Sequence, residues 1–415
     1  MFETVQSIPW DPILKLITEF KEDSNPKKVN LGVGAFRTDE GKPYVLPAVQ
    51  KACERVASTP HEYPPMQGLT GYPEAARTII FGKNHRVMAD GEERARTMSM
   101  QTLSGCGSLS LIFELLRLYK PEVNFFLSDP TWPNHQGMIK YRFDADQMQS
   151  YRYFNNKTCS LDFEGMIEDM NAIPEGSVIL LQACGHNPTG VDPTKEQWEV
   201  IANIVVERKL FPIVDCAYQG FVSGSLDEDA FAVRYIADVL LDNNMEGAFC
   251  QSFSKNLGLY GERIGALHVI TKAPEHAHAL LTQFCAIARS SYSMPSINGA
   301  KIVTTVFNDP ELLQSWNESM HYMFTRISGI RSKFHARLMH YEKARNPDVD
   351  EHVWDHVLKQ KGMFTYTGLE AKHVDHIKTN YSIYFVGNGR ISMSGLNDSN
   401  LDYVAEVFVR VKYDL

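Results

Sequence analysis

At 415 residues the chain is long enough for two domains, and its 44% hydrophobic and 22% charged residues are an ordinary globular composition that excludes disordered and collagen-like classes. Its formal net charge is −9, with 41 Lys and Arg against 50 Asp and Glu and no long basic run. That balance excludes nucleic acid as a partner and leaves an anionic substrate to be caught by local Arg residues. No apolar run reaches the roughly 20 residues of a membrane span, so no membrane partner is expected.

An arm, residues 1–10, comes first and shows no periodicity. Asp11-Pro12 followed by Ile13, Leu14, Leu16, Ile17 and Phe20 predicts a capped helix with Pro at its start. Residues 29–37 predict a short strand running into a glycine turn, 47–57 a helix and 63–68 a loop. From about residue 97 the pattern alternates. Strands are expected at 98–103, 123–128, 177–183, 211–215 and 247–253, and helices at 108–119, 194–208 and 228–242. This predicts an α/β fold with a mostly parallel sheet between helices. Residues 298–345 read as helical apart from the break at Asn308-Asp309-Pro310. From 362 onward the pattern is short strands and a final helix, including a strand at 383–386 before Gly387-Asn388-Gly389-Arg390. The expected division is an arm (1–10), a small α+β domain from both chain ends (11–45 and 320–415) and a large domain (46–319).

The 7 Cys show no CxxC and no regular spacing, which predicts reduced thiols. Met1-Phe2-Glu3-Thr4 has neither the basic and apolar regions of a signal peptide nor the Arg-rich character of a mitochondrial leader. The expectation is a cytoplasmic protein. His276 and His278 fit no metal-binding spacing, so no metal is expected.

Four segments follow buried strands, where open α/β sheets bind ligands. Ser104-Gly105-Cys106-Gly107-Ser108 joins a strand to a helix; it reads either as an ordinary tight turn or as an anion site at a helix N-terminus. Trp132, in Asp129-Pro130-Thr131-Trp132-Pro133-Asn134-His135, reads as a core residue or as the cover of a flat ring. Asn187, in Gly185-His186-Asn187-Pro188-Thr189-Gly190, is a turn residue or a donor to a phenolic oxygen. Asp215, in Asp215-Cys216-Ala217-Tyr218-Gln219-Gly220-Phe221, either starts the next helix or faces a pyridine nitrogen. The fifth segment is Gln251-Ser252-Phe253-Ser254-Lys255-Asn256, running on to Gly258-Leu259-Tyr260-Gly261-Glu262-Arg263. Lys255 reads either as a solvated surface charge, as most Lys are, or, placed where the chain turns inward, as an amine of lowered pKa that can act as a nucleophile toward an aldehyde, while Arg263 can hold a phosphate. Together they point to an aldehyde cofactor that carries a phosphate, pyridoxal 5'-phosphate.

These motifs, with Val33-Gly34-Ala35-Phe36-Arg37 and Gly389-Arg390-Ile391-Ser392, resemble in order and spacing the aspartate aminotransferases, subgroup I of the fold-type I pyridoxal-phosphate enzymes. The resemblance runs over essentially the whole chain. It implies that Lys255 tethers the cofactor and moves the proton, that Asp215 pairs with the pyridine nitrogen, and that His135 supports Asp215. Tyr218 and Asn187 would bond the ring's 3-oxygen, and Trp132 would stack on the ring. Ser104, Gly105, Cys106, Ser252 and Arg263 would hold the phosphate, with Tyr63 contributed by a second subunit of a homodimer. Arg390 would take the substrate α-carboxylate beside Gly34, Arg289 from the second subunit would take the distal carboxylate, and Ile13 and Val33 would close over the site. The implied reaction moves the amino group of L-aspartate to 2-oxoglutarate by a ping-pong mechanism, with a broader aspartate/aromatic aminotransferase as the alternative. Two residues depart from the family: Cys106 stands where Thr is frequent, and Met294 stands where aspartate enzymes commonly have Asn. The second leaves aromatic substrates open.

Overall fold

A computed structural model describes residues 1–415. Its central sheet has seven strands: β1 (Thr97–Leu103), β2 (Phe125–Asp129), β3 (Met148–Arg152), β4 (Val178–Gln182), β5 (Phe211–Cys216), β6 (Gly247–Ser252) and β7 (Ile264–Ile270). Their spatial order is β1-β7-β6-β5-β4-β2-β3. β2 pairs in parallel with β3 and β4, and β5 with β4 and β6, while β7 runs antiparallel to both its neighbours. Successive side chains go to opposite faces. Ile179, Leu181, Val214 and Phe249 therefore enter one apolar cluster, and Val178, Leu180, Ile213 and Ala248 the other. Helices seal both faces, which is why these strands are continuous apolar runs. No helix is long and apolar enough to cross a membrane.

Four helices matter for the site. In α1 (Pro12–Glu22) the Asp11 carboxylate accepts from the N–H groups of Ile13 and Leu14 at 2.9 and 3.0 Å, a side-chain cap for donors the helix cannot satisfy itself. α2 (Ser104–Tyr119) follows β1 without a linker. α3 (Pro310–Arg345) is 36 residues long, about 54 Å at 1.5 Å per residue. Its buried residues Leu312, Trp316, Met320, Met323, Ile327, Ile330, Phe334 and Leu338 recur every three or four positions, one stripe along one side. Near its start, Trp316 Nε1 donates to the carbonyl of Asn256 at 2.8 Å; further on, Phe334 meets Phe408 of α4 (Leu401–Asp414) edge-on at 5.9 Å.

The two chain ends meet. Val29–Asn30 pairs in parallel with Ile383–Tyr384, and Phe364–Tyr366 pairs antiparallel with Arg390–Ser392, with Tyr366 opposite Arg390.

Three expectations change. The helix expected from 108 begins at Ser104, so Gly105 and Cys106 lie in its first turn; tertiary bonds such as Ser108 Oγ to the Ala266 carbonyl at 3.0 Å override the poor helix propensity of glycine there. The helix expected at 228–242 is two, Leu226–Asp229 and Phe231–Asp242, because the Asp229 carboxylate turns back to accept from Gly220 and Val222 N–H at 2.7 and 2.9 Å. Two sheet strands fall outside the expected ones, β3 at the edge and β7 inside the sheet: Gly265 and His268 interrupt the apolar run of β7.

Candidate active site

The site lies beyond the carboxyl ends of the parallel strands, around a cavity of ≈ 190 Å³. One wall is an anion cradle. Ser104 takes a left-handed conformation, φ 64°, which turns its hydroxyl to 2.9 Å from both Ser252 Oγ and Ser254 Oγ. Arg263 Nη1 donates to Ser254 Oγ at 3.4 Å and to the Tyr260 carbonyl at 3.2 Å. No side chain caps the N-terminus of α2, and Ser104, Gly105 and Cys106 of its first turn line the cavity. Free N–H groups, the positive end of a helix dipole, three hydroxyls and a guanidinium are the donor set of a phosphate site. β7 presses Ser104 into place: a Cβ on Gly265 would lie 2.4 Å from the Gln251 carbonyl oxygen and 2.8 Å from Ser104 Cα.

Asp215 is buried near the end of β5. Its Oδ2 lies 3.1 Å from His135 Nε2, and His135 Nδ1 lies 2.9 Å from Thr131 Oγ1. This chain fixes the orientation of the carboxylate. Oδ1 has no hydrogen-bond partner within the protein, and a Cβ on Gly105 would come within 3.8 Å of it. Asp215 lines the cavity, so this oxygen is open to a ligand, and a protonated ring nitrogen would supply the missing donor. Asp215 and the cradle line the same cavity, so the residues present fit a pyridine ring that carries a phosphate. Trp132 is half-buried, lines the cavity, and meets the His135 ring edge-on at 5.1 Å.

Asn187 joins two groups. Its Nδ2 donates to Tyr218 Oη at 3.4 Å, and its Oδ1 accepts from Arg390 Nη1 at 3.0 Å. Burial pushes the Tyr218 phenol well up, so it keeps its proton as a donor. Arg390 Nη2 donates to the Gly32 carbonyl at 2.6 Å, while Nε is buried and unpaired. Burial lowers its pKa to about 10. A buried guanidinium without a carboxylate lacks its counter-charge, and an incoming carboxylate provides one.

Lys255 is half-buried and lines the cavity, its Nζ 5.4 Å from the Tyr218 ring centroid. Its pKa is lowered chiefly by burial; Arg263 and Arg390 add to the shift, and Asp215 and Cys106 oppose it. The thiol of Cys106 is pushed up, again mainly by burial.

Gly34 and Ile13 also line the cavity, while Val33 does not. Tyr63 and Arg289 are exposed on this chain and lie outside the lining; Arg289 Nη1 instead donates to Ser293 Oγ. The lining adds Ser254, Gln182, Ala217 and Phe364, to which sequence reasoning gave no role. Ser254 was within reach, since it lies in the Ser-x-Ser-Lys run. Phe364 belongs to no motif, and nothing local marks it.

Comparison with known proteins places the fold and the family. The aspartate aminotransferase from the cytoplasm of Saccharomyces cerevisiae superposes with a TM-score of 0.92 at 36% identity, covering 99% of this chain and 98% of that one. An aromatic amino acid aminotransferase from Burkholderia cenocepacia J2315 superposes at 0.89 with 38% identity, covering 100% and 99%. The fold is thus that of the fold-type I transferases. In sequence, the chain is 41% identical over 410 residues to the cytoplasmic aspartate aminotransferase of Dictyostelium discoideum, covering 99% of this chain and 90% of that one. It belongs to the aminotransferase class I and II family, whose profile it matches over residues 26–408.

Proposed function

We propose that the chain is an L-aspartate:2-oxoglutarate aminotransferase that produces oxaloacetate and L-glutamate in two half-reactions. The observation that carries this reading is the buried, carboxylate-free Arg390 lining the same cavity as the pKa-lowered Lys255. In this reading Ser104, Gly105, Cys106, Ser252, Ser254 and Arg263 hold the phosphate of pyridoxal phosphate, with Asp215 at the ring nitrogen and Trp132 on the ring face. Bound there, the cofactor supplies an electron sink for the pair left on the substrate α-carbon.

The chain's own groups do the rest. Arg390 binds the α-carboxylate through Nε and an Nη, a geometry that fixes the α-carbon against rotation. Lys255 Nζ, which burial makes easier to deprotonate, takes the α-proton and later returns it. Tyr218 donates its phenolic proton to the ring oxygen, and Asn187 holds both Tyr218 and Arg390 in register. Ile13, Phe364 and Trp132 exclude water.

The same proposal includes a homodimer in which Tyr63 reaches the phosphate and Arg289 the distal carboxylate of the neighbouring site. It is supported by the exposure of both residues and by the exposed apolar side chains Phe2, Val5, Ile8 and Trp10 on the arm, which suit docking on a partner. The division into arm 1–10, small domain 11–45 with 320–415, and large domain 46–319 belongs to it as well. So does a cytoplasmic location, supported by the Dictyostelium relative.

The test is direct. Holoenzyme given L-aspartate and 2-oxoglutarate should form glutamate stoichiometrically with oxaloacetate; release of ammonia or carbon dioxide in its place would sink the reading in favour of a lyase or decarboxylase. A second reading, aspartate together with aromatic amino acids, is favoured by the similarity to the Burkholderia enzyme. A kcat/KM for tyrosine equal to that for aspartate would establish it.

A further inference from the structure

Arg331 sits inside α3, is 5% exposed, and has no carboxylate partner. All its acceptors are on one short segment. Nη1 donates to the Val357 carbonyl at 2.9 Å and to Thr365 Oγ1; Nη2 donates to the carbonyls of Gly362 and Phe364 at 2.8 and 3.0 Å. A guanidinium is the one side chain whose planar fork can hold four such acceptors at once.

The clamped segment carries Phe364, and Phe364 underlies the site. The Arg390 guanidinium lies 4.4 Å from the Phe364 ring centroid. The same ring meets Tyr218 edge-on at 5.4 Å, and a Cβ on Gly34 would lie 3.0 Å from Phe364 Cζ. Two backbone links run the same way. Tyr366 pairs directly with Arg390, and Lys361 N–H donates to the Gly190 carbonyl at 2.6 Å, next to the Asn187 turn. The segment therefore touches Arg390 from below, along its own strand, and through the turn that holds Asn187.

We propose that Arg331 is a positioning residue for substrate: by clamping residues 357–365 it sets the height of the Phe364 ring and so the pose in which Arg390 meets a carboxylate. α3 gives the clamp a fixed reference, because the same helix bonds the carbonyl of Asn256, beside Lys255, through Trp316. The distance between the proton-moving amine and the carboxylate-binding guanidinium is then set from one rod. This inference rests on the reading of Arg390 as the carboxylate clamp.

The experiment compares Arg331→Lys, Phe364→Leu, the double variant and Arg390→Lys, all as cofactor-loaded enzyme, with active sites counted by absorbance. A lysine cannot reach four acceptors. Arg331→Lys should raise KM for L-aspartate and the Ki of the unreactive dicarboxylate succinate about tenfold, with kcat changed less than about threefold and cofactor affinity retained. Phe364→Leu should raise the same KM and Ki by a similar factor, and the double variant should add nothing to either single one in KM or Ki, since both act through one contact. A purely structural role predicts lower thermal stability with KM per active site unchanged; that result, or additive KM effects, overturns the proposal. If Arg331→Lys yields no folded enzyme, Thr365→Val, which removes one acceptor, takes its place: a KM rise of about threefold that vanishes in the Phe364→Leu background supports the clamp, and an unchanged KM overturns it. Arg390→Lys separates the two ideas. If it leaves KM unaltered, the carboxylate reading fails; if it raises KM while Arg331→Lys does not, only the positioning role fails.

Discussion

Lys255 owes its lowered pKa to burial before any neighbouring charge, since the two guanidiniums that lower it are opposed by Asp215 and Cys106. Its basicity is therefore a property of the walls and survives changes to one ligand residue better than a salt-bridged base would. Truncation is another matter. Lys255→Ala removes both the covalent tether and the proton carrier, and steady turnover should fall by at least about 10⁴-fold with the melting temperature little changed; turnover near the parent rate would refute the assignment. Arg390 makes a different kind of contribution. Lysine there keeps the charge but offers no planar fork, and the loss of about 2 kcal/mol of charged hydrogen bonding should raise KM for both substrates roughly 30-fold. Because burial brings Arg390 to about 10, KM should be flat between pH 7 and 9 and rise only as the guanidinium loses its proton above that range, a profile that initial-rate measurements can read.

At the scale of elements, β7 shows why sequence reasoning reached some parts of this molecule and missed others. Asp215, Asn187, Trp132 and Lys255 were legible because each places costly chemistry at the end of an apolar strand, and the structure brings all four to one cavity. β7 was illegible because glycine and histidine break its run, yet both are there for the sheet. Gly265 is required by the close approach of Gln251 and Ser104, and His268 is held in the interior by Ser99 Oγ and Gln251 Oε1 at 2.7 and 3.1 Å. Phe364 and Arg331 were illegible for another reason: their partners are backbone carbonyls and rings brought together only by the fold. The glycine makes a test. Gly265→Ala would drive a methyl into the backbone of Ser104, the hub of the three hydroxyls. Overpacking of this kind costs about 1–3 kcal/mol, and here it should also weaken cofactor binding at least tenfold by titration. Full affinity in a destabilised variant would show that the cradle tolerates movement of β7.

Over the whole molecule, acid acts on buried neutral groups rather than on the exposed ion pairs, which are screened and contribute little. Burial lowers His186 well below its usual value, His268 to about 3 and His356 to about 4. An unfolded chain protonates these histidines near pH 6.5, whereas the native one resists until much lower, so the unfolded state binds more protons and stability falls as pH drops below about 6.5. Two buried carboxyls work against this. Asp229 is raised to about 6 and Asp192 is raised too, chiefly by burial; between their native and unfolded values the native state holds the extra proton, and acid favours folding. His268 gives the cleanest measurement, because it lies inside the sheet and away from the cavity lining. With a native pKa near 3 against about 6.5 unfolded, it alone accounts for about 2 kcal/mol of stability lost between pH 7 and pH 5. Glutamine can keep a hydrogen bond to Ser99 or Gln251 but does not titrate. His268→Gln should therefore be less stable at pH 7 yet lose about 2 kcal/mol less than the parent when urea unfolding is repeated at pH 5. An identical pH 7-to-5 difference in the two proteins would place the acid sensitivity in His186 and His356, at the edge of the site and in the C-terminal part of the chain.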